Sequence, residues 1–230
     1  TKMTTDGLQD GLIVGVSAPY AAHIGNRLIV AGGCNFPDKP PYEGGDKIYY
    51  NDIVILDSTN PTEWKYMGTL PVETAYGVSI TLDDNSAVWL GGNNDSTLLT
   101  SVYKITIESE RVNINALANL PATMDNLSGC AHGSTLFVGG GNVDGKPSNA
   151  FYTLNVDNEE GIWCQLPDFP GIPRVQPVMA ALELNEKEYV YLLGGFFGGD
   201  AHRQPELATD ILRYDINEKK WEQAGKQIDP

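Results

Sequence analysis

The 230 residues carry 15 Lys+Arg against 30 Asp+Glu, a formal charge of −15, with 41% hydrophobic and 20% charged residues. That apolar share is enough for a core and argues against disorder, while the negative field would repel phosphate backbones and anionic membranes, so nucleic-acid binding is disfavoured. Gly 25 and Pro 14 punctuate the chain too often for a helical bundle.

From the amino end, residues 1–10 stand apart and are taken up below. The most apolar stretch, Gly11–Gly33, is broken by His23, Asn26 and Arg27, so no membrane span is expected. Nor does the amino end read as a charged-then-apolar export leader. Cys34, Cys130 and Cys164 are odd in number and widely spaced, giving neither a disulfide framework nor a CxxC metal signature.

Double glycines recur at Gly32-Gly33, Gly91-Gly92, Gly140-Gly141 and Gly194-Gly195, at spacings of 59, 49 and 54 residues. An internal repeat of this length governs the reading of the fold. Each pair ends an apolar run: Leu28–Ala31, Ala87–Leu90, Leu136–Val138 and Val190–Leu193. A small-residue or alternating run precedes each, at Val16–Ile24, Ala75–Leu82, Leu127–His132 and Val178–Leu184, and is joined to it by hairpin chemistry at Gly25-Asn26, Asp83–Asn85, Gly133-Ser134 and Asn185-Glu186,. A third run follows at Asp52–Leu56, Val102–Ile105, Phe151–Leu154 and Asp210–Tyr214. A fourth is marked by Trp64, Trp163 and Trp221, with Val112–Ile114 in the second unit. The three tryptophans are expected to pack one unit against the next.

Each unit thus predicts four short antiparallel strands, rich in β-branched and aromatic residues, and no window sustains a helical period. Sheets this small cannot bury both faces and must lean on neighbours about an axis, so the fold class is all-β, a β-propeller. The double glycines are expected to supply the positive φ that a crowded turn demands. Four blades are read at about 15–71, 75–121, 127–170 and 174–227. Within Thr1–Asp10, Thr1–Leu8 resembles the post-tryptophan segment Lys65–Pro71, and the segment is expected to be the outer strand of a blade whose other strands are missing, the alternative being a frayed tail. The four blades then form part of a larger ring, with self-association expected through its open blade faces.

Several of these residues resemble a known family. Units of this length, each with a double glycine after its second strand, are similar to Kelch repeats. Gly15–Ala22 followed by Leu28–Gly33, then Ala75–Ser79, and Phe169-Pro170-Gly171-Ile172-Pro173-Arg174 resemble the Kelch-propeller sialic acid mutarotases (N-acetylneuraminate epimerases), in their cyclically permuted branch. The resemblance implies a six-bladed propeller that interconverts the anomers of N-acetylneuraminate or a related sugar. One group takes the anomeric proton and another protonates the ring oxygen. No cofactor or metal is implied, and a periplasmic or secreted location is. The alternative is a non-catalytic propeller that binds a glycan or a protein. In the family a glutamate just after a double glycine, with an arginine a few residues on, is taken as the catalytic pair. Here Cys34, Asn93, Asn142 and Phe196 occupy those positions, so the resemblance places that pair after residue 230 and leaves the catalytic residues of this chain unknown.

The expected substrate-binding residues are Arg174, as an anion-binding arginine, Asn35, Asn93 and Asn94, just after double glycines at one rim of the channel, and Tyr76, on an inner strand. Each also has a structural alternative: an ion-paired arginine, turn-forming asparagines and a packed tyrosine. The long insertion Asn35–Tyr50 is read as a lid carrying Glu43 or as surface decoration, and Phe196–Pro205 with His202-Arg203 as a second rim loop. His23, His132 and His202 lie in three different units without ligand spacing, so no metal site is expected. Cys34 is read as a small buried apolar residue.

Overall fold

In a computed structural model of the chain, residue 8 and residues 10–108, 111–158 and 161–227 are described. The chain divides into two compact units, one ending at Leu117 and the next beginning at Ala118. Each holds two four-stranded antiparallel sheets.

In the first unit, Tyr20–Ile24, Arg27–Ala31, Asp52–Asp57 and Trp64–Thr69 form one sheet in chain order, and Val78–Asp83, Ser86–Leu90, Val102–Glu108 and Arg111–Ala116 form the other. In the second unit the sheets are Ser128–His132, Thr135–Gly139, Phe151–Asn155 and Cys164–Leu166, then Val178–Leu184, Lys187–Leu193, Asp210–Asp215 and Lys220–Lys226. Three of the hairpins turn through left-handed residues at Gly25, Gly133 and Asn185-Glu186,, and in the remaining one the Asp83 carboxylate accepts from Asn85 N and Ser86 Oγ. The described helical residues are two 3-10 turns, Asp10–Val14 and Pro41–Glu43. The expected outer strand over residues 1–10 falls almost wholly outside the described residues.

Strand alternation builds the cores. Tyr20, Ala22 and Ile24 point one way from the first strand. With Ile29, Ala31, Ile53 and Ile55 they meet Ala87, Trp89 and Ile105 of the second sheet. Ser86–Leu90 is buried along its whole length, as expected of an apolar run with packing on both faces. In the second unit Phe137, Phe151 and Phe169 gather with Met179, Val190, Leu192, Leu212 and Tyr214. Phe151 sits edge-on to Tyr214 and Trp221 at 5.1 and 4.9 Å. The tryptophans of the second unit bind backward along the chain. Trp163 Nε1 donates to the Ala118 carbonyl and Trp221 Nε1 to that of Pro167, both at 2.9 Å.

Apolar surface remains on the outer faces. The face of the first sheet turned away from the second carries Val30, Val54 and Trp64, which with Leu8, Leu12, Ile13 and Val16 line a cavity of about 330 Å³. On the fourth sheet Val178, Leu182 and Leu184 are exposed.

All eight residues of the double glycines have positive φ. At Gly141 the need is steric as well. A Cβ there would lie 2.3 Å from the Asp125 carbonyl oxygen and 2.6 Å from the Leu127 backbone. Gly141→Ala is therefore expected to destabilise the chain by roughly 3 kcal/mol, read as a lower denaturant midpoint. A loss below about 1 kcal/mol would mean that the turn relaxes freely.

Candidate functional site

The long insertion after the first double glycine closes on itself before it reaches solvent. Cys34–Asn35 pairs with Ile48–Tyr49 as a short antiparallel ladder, which returns the far end of the loop to the rim of the first unit. Its tip, the 3-10 turn Pro41–Glu43, is exposed, so Glu43 stands out in solvent while Lys47 and Tyr49 are carried inward. Ser17 bridges to Cys34, and Ala75 bridges to Asn93 behind the second double glycine. These two bridges bring Tyr76 against the loop.

The result is a half-buried polar cluster. Lys47 Nζ donates to Tyr76 Oη at 2.7 Å and lies 4.4 Å from the Tyr76 ring centroid and 5.0 Å from that of Tyr49. The buried Cys34 thiol donates to the same phenol oxygen at 3.5 Å. Tyr49 Oη donates to Asn93 Oδ1 at 3.3 Å. Burial works against the Lys47 charge, yet hydrogen bonds to Tyr76 and Tyr49 outweigh it and push the ammonium up to about 12,. Burial, above all, also raises Tyr76, with Cys34 adding to the effect and Lys47 opposing it. At neutral pH the site therefore presents an ammonium beside a protonated phenol.

Tyr76 is held there under backbone strain. Its φ is +62°, and Ala18, Asn126 and Gln176 share the same left-handed conformation. Each stands two residues ahead of the first strand of its sheet. Non-glycine residues in this region cost of order 1–3 kcal/mol and persist only where the surroundings hold them. Here Tyr76 N donates to Ala18 O at 3.0 Å and Gln176 N to Asn126 O at 2.7 Å. In the second unit the corresponding positions form an amide network. Asp125 Oδ1 accepts from Asn126 at 2.8 Å and Asn142 at 2.6 Å, and Asn126 Oδ1 accepts from Gln176 at 3.1 Å.

Of the residues expected to bind substrate, Tyr76 and Asn93 come together in the Lys47 cluster. The other three are committed to the scaffold. Asn35 donates to the Gly11 and Gly15 carbonyls, both at 2.7 Å, and accepts from Tyr50. Asn94 Oδ1 caps the turn at Ser96 and Thr97, and its amide donates to Glu73 O. Arg174 is fully buried. Its guanidinium grips Asp210 through two bonds of 2.6 and 3.1 Å, donates to the Ile172 and Gly194 carbonyls and stacks on Phe169. An arginine so engaged is a clamp inside the second unit, and the geometry favours that structural reading over the anion-binding one. Lys47 itself was missed, because nothing in a Pro- and Tyr-rich insertion says which of its residues folds back.

Elsewhere, His132 pairs with Glu188 at 2.8 Å, and Arg203 stacks on Phe197 in an exposed loop. Cys34 and Cys130 are buried free thiols and Cys164 an exposed one. Among the described residues no three His, Cys, Asp or Glu side chains gather as a metal site, and no helix is long and apolar enough to cross a membrane.

The family follows from a comparison of the whole chain. The model of the KLHDC2/KLHL20/DRC7 Kelch-repeats domain matches residues 17–229. This chain belongs to the Kelch-repeat family. Its fold class is that of a Kelch-type β-propeller, and it superposes on the solved structure of YjhT with a TM-score of 0.72 at 15% identity, covering 92% of this chain and 71% of that one. Among curated proteins it is similar to the N-acetylneuraminate epimerase of Vibrio vulnificus (strain YJ016), 27% identical over 106 residues, which make up 44% of this chain and 28% of the relative. The corresponding protein of Pasteurella multocida (strain Pm70) is 32% identical over 103 residues, 45% of this chain and 25% of the relative. The matched stretches thus span about a quarter of those relatives.

Proposed function

We propose that this Kelch chain forms part of a sugar isomerase that interconverts the anomers of N-acetylneuraminate or a related sugar acid. The similarity to N-acetylneuraminate epimerases carries this reading. The rim cluster of Lys47, Tyr49, Tyr76 and Asn93 supports it chemically, since a protonated phenol and an amide suit ring and hydroxyl oxygens. Mutarotation requires only that a proton leave the anomeric hydroxyl and another reach the ring oxygen. No electron transfer is involved.

The competing reading, a propeller that binds a glycan without turning it over, draws on the residues after the four double glycines. None of Cys34, Asn93, Asn142 and Phe196 carries a carboxyl group, where a carboxylate base would be wanted. Freshly dissolved β-N-acetylneuraminate, followed by proton exchange NMR, separates the two. Anomer exchange faster than the uncatalysed rate, in proportion to protein, is the expected result. Shifted sugar resonances without faster exchange would replace the isomerase with the binding module.

A further inference from the structure

We propose that Lys47, set between the phenols of Tyr49 and Tyr76, is the group that anchors the carboxylate of a sugar acid in the first unit. The proposal rests on the isomerase reading for its ligand class but not on turnover.

Five of the described cations are paired with carboxylates. Arg27 meets Asp57, Arg174 meets Asp210, Arg213 meets Glu222, and Lys187 and Lys220 share Glu218. Lys47 differs. It is half-buried, and among the described residues no carboxylate pairs with it. Its neighbours are the Tyr49 and Tyr76 rings and the Cys34 thiol. One of the ammonium's three protons is taken by the Tyr76 phenol, which leaves two donors and the net charge for an anion. Tyr76 Oη already accepts from Lys47 and Cys34, and no described acceptor takes its own proton, so that O–H can donate beside the ammonium. A cation and a hydroxyl donor side by side match the two oxygens of one carboxylate.

The scaffold holds this pair in advance. The left-handed Tyr76 is fixed through Ala18 and the Ala75–Asn93 bridge, and the rings on which Lys47 lies restrict its stem,. Fixed donors lose less entropy on binding than free ones. Because the net field of −15 repels anions, capture depends on such a local group and not on long-range attraction.

The test uses the whole chain with Lys47→Met and Lys47→Arg, each titrated by calorimetry with N-acetylneuraminate and with its uncharged methyl ester. Losing one charge-assisted contact should weaken the acid by roughly 10–100-fold in Lys47→Met, with part of the affinity kept in Lys47→Arg. The ester should bind the wild type and Lys47→Met alike, and a melting temperature within about 2 °C of wild type would show that the fold survives. If Lys47→Met binds the acid as the wild type does, loses acid and ester equally, or if the wild type binds neither, the anchor is overturned. Faster anomer exchange with an unchanged Lys47→Met response keeps the isomerase and removes the anchor. Lys47-dependent binding without exchange does the reverse.

Discussion

Arg174→Met is expected to lower the stability of the chain by about 3 kcal/mol, the lower end of the cost of removing one partner from a buried ion pair. The guanidinium is completely buried, whereas Asp210 keeps a 23% exposed side chain, so water can relieve part of the orphaned charge. The change also frees the Ile172 and Gly194 carbonyls that Arg174 now satisfies and removes its stacking on Phe169. For a chain of this size the melting temperature should fall by roughly 6–12 °C, measured by circular dichroism. Adding Asp210→Leu should restore part of the loss, because no charge is then left unpaired. A drop below about 2 °C, together with lost binding of N-acetylneuraminate, would return Arg174 to the role of anion binder.

Trp89→Ala is expected to cost at least as much, roughly 3–5 kcal/mol. Trp89 is fully buried at the centre of the first unit, and its indole lies parallel to the Tyr20 ring, with centroids 5.4 Å apart. Tyr20 in turn donates its hydroxyl to the Gly91 carbonyl at 2.6 Å, beside the second double glycine. Truncation therefore empties the space between two sheets and loosens the turn that carries Asn93. Trp89→Phe should lose far less, about 1 kcal/mol. The indole N–H has no partner among the described residues, so its removal breaks no hydrogen bond. Guanidinium unfolding separates the outcomes. Equal losses in Ala and Phe would show that the indole's polar edge matters, and no loss in Ala would place the core elsewhere.

These effects mark where reading the sequence stopped. The four-fold glycine repeat, the hairpin turns and the strand runs between them were legible because they are local. Positive φ, turn chemistry and period-two burial are written within a few residues of where they act. Val178–Leu184 lies where its apolar run predicts, whereas the first strands of the other sheets begin later than expected, at Tyr20, Val78 and Ser128. In the first two the run opens with a bridge and a left-handed residue, and in the third the left-handed Asn126 stands just ahead of it. Ala18 and Tyr76 give no sign of this in their identities, since only the surrounding hydrogen bonds impose the conformation, whereas an asparagine such as Asn126 tolerates it.

The candidate site was legible only in part. Tyr76 and Asn93 follow from their places beside repeated motifs, but Asn35, Asn94 and Arg174 share those places and turn out to brace the scaffold. One residue type at one rim position serves either purpose, and the choice depends on which partner lies across the fold. The sequence by itself determined the class of fold, its repeat and its acidic character. Tertiary structure decided which cation is spent and which is left over. Asp210, 36 residues away along the chain, neutralises Arg174, while the ladder between Cys34–Asn35 and Ile48–Tyr49 delivers Lys47 to two phenols and no acid. Charge pairing at that range depends on distance in space, which no local pattern encodes.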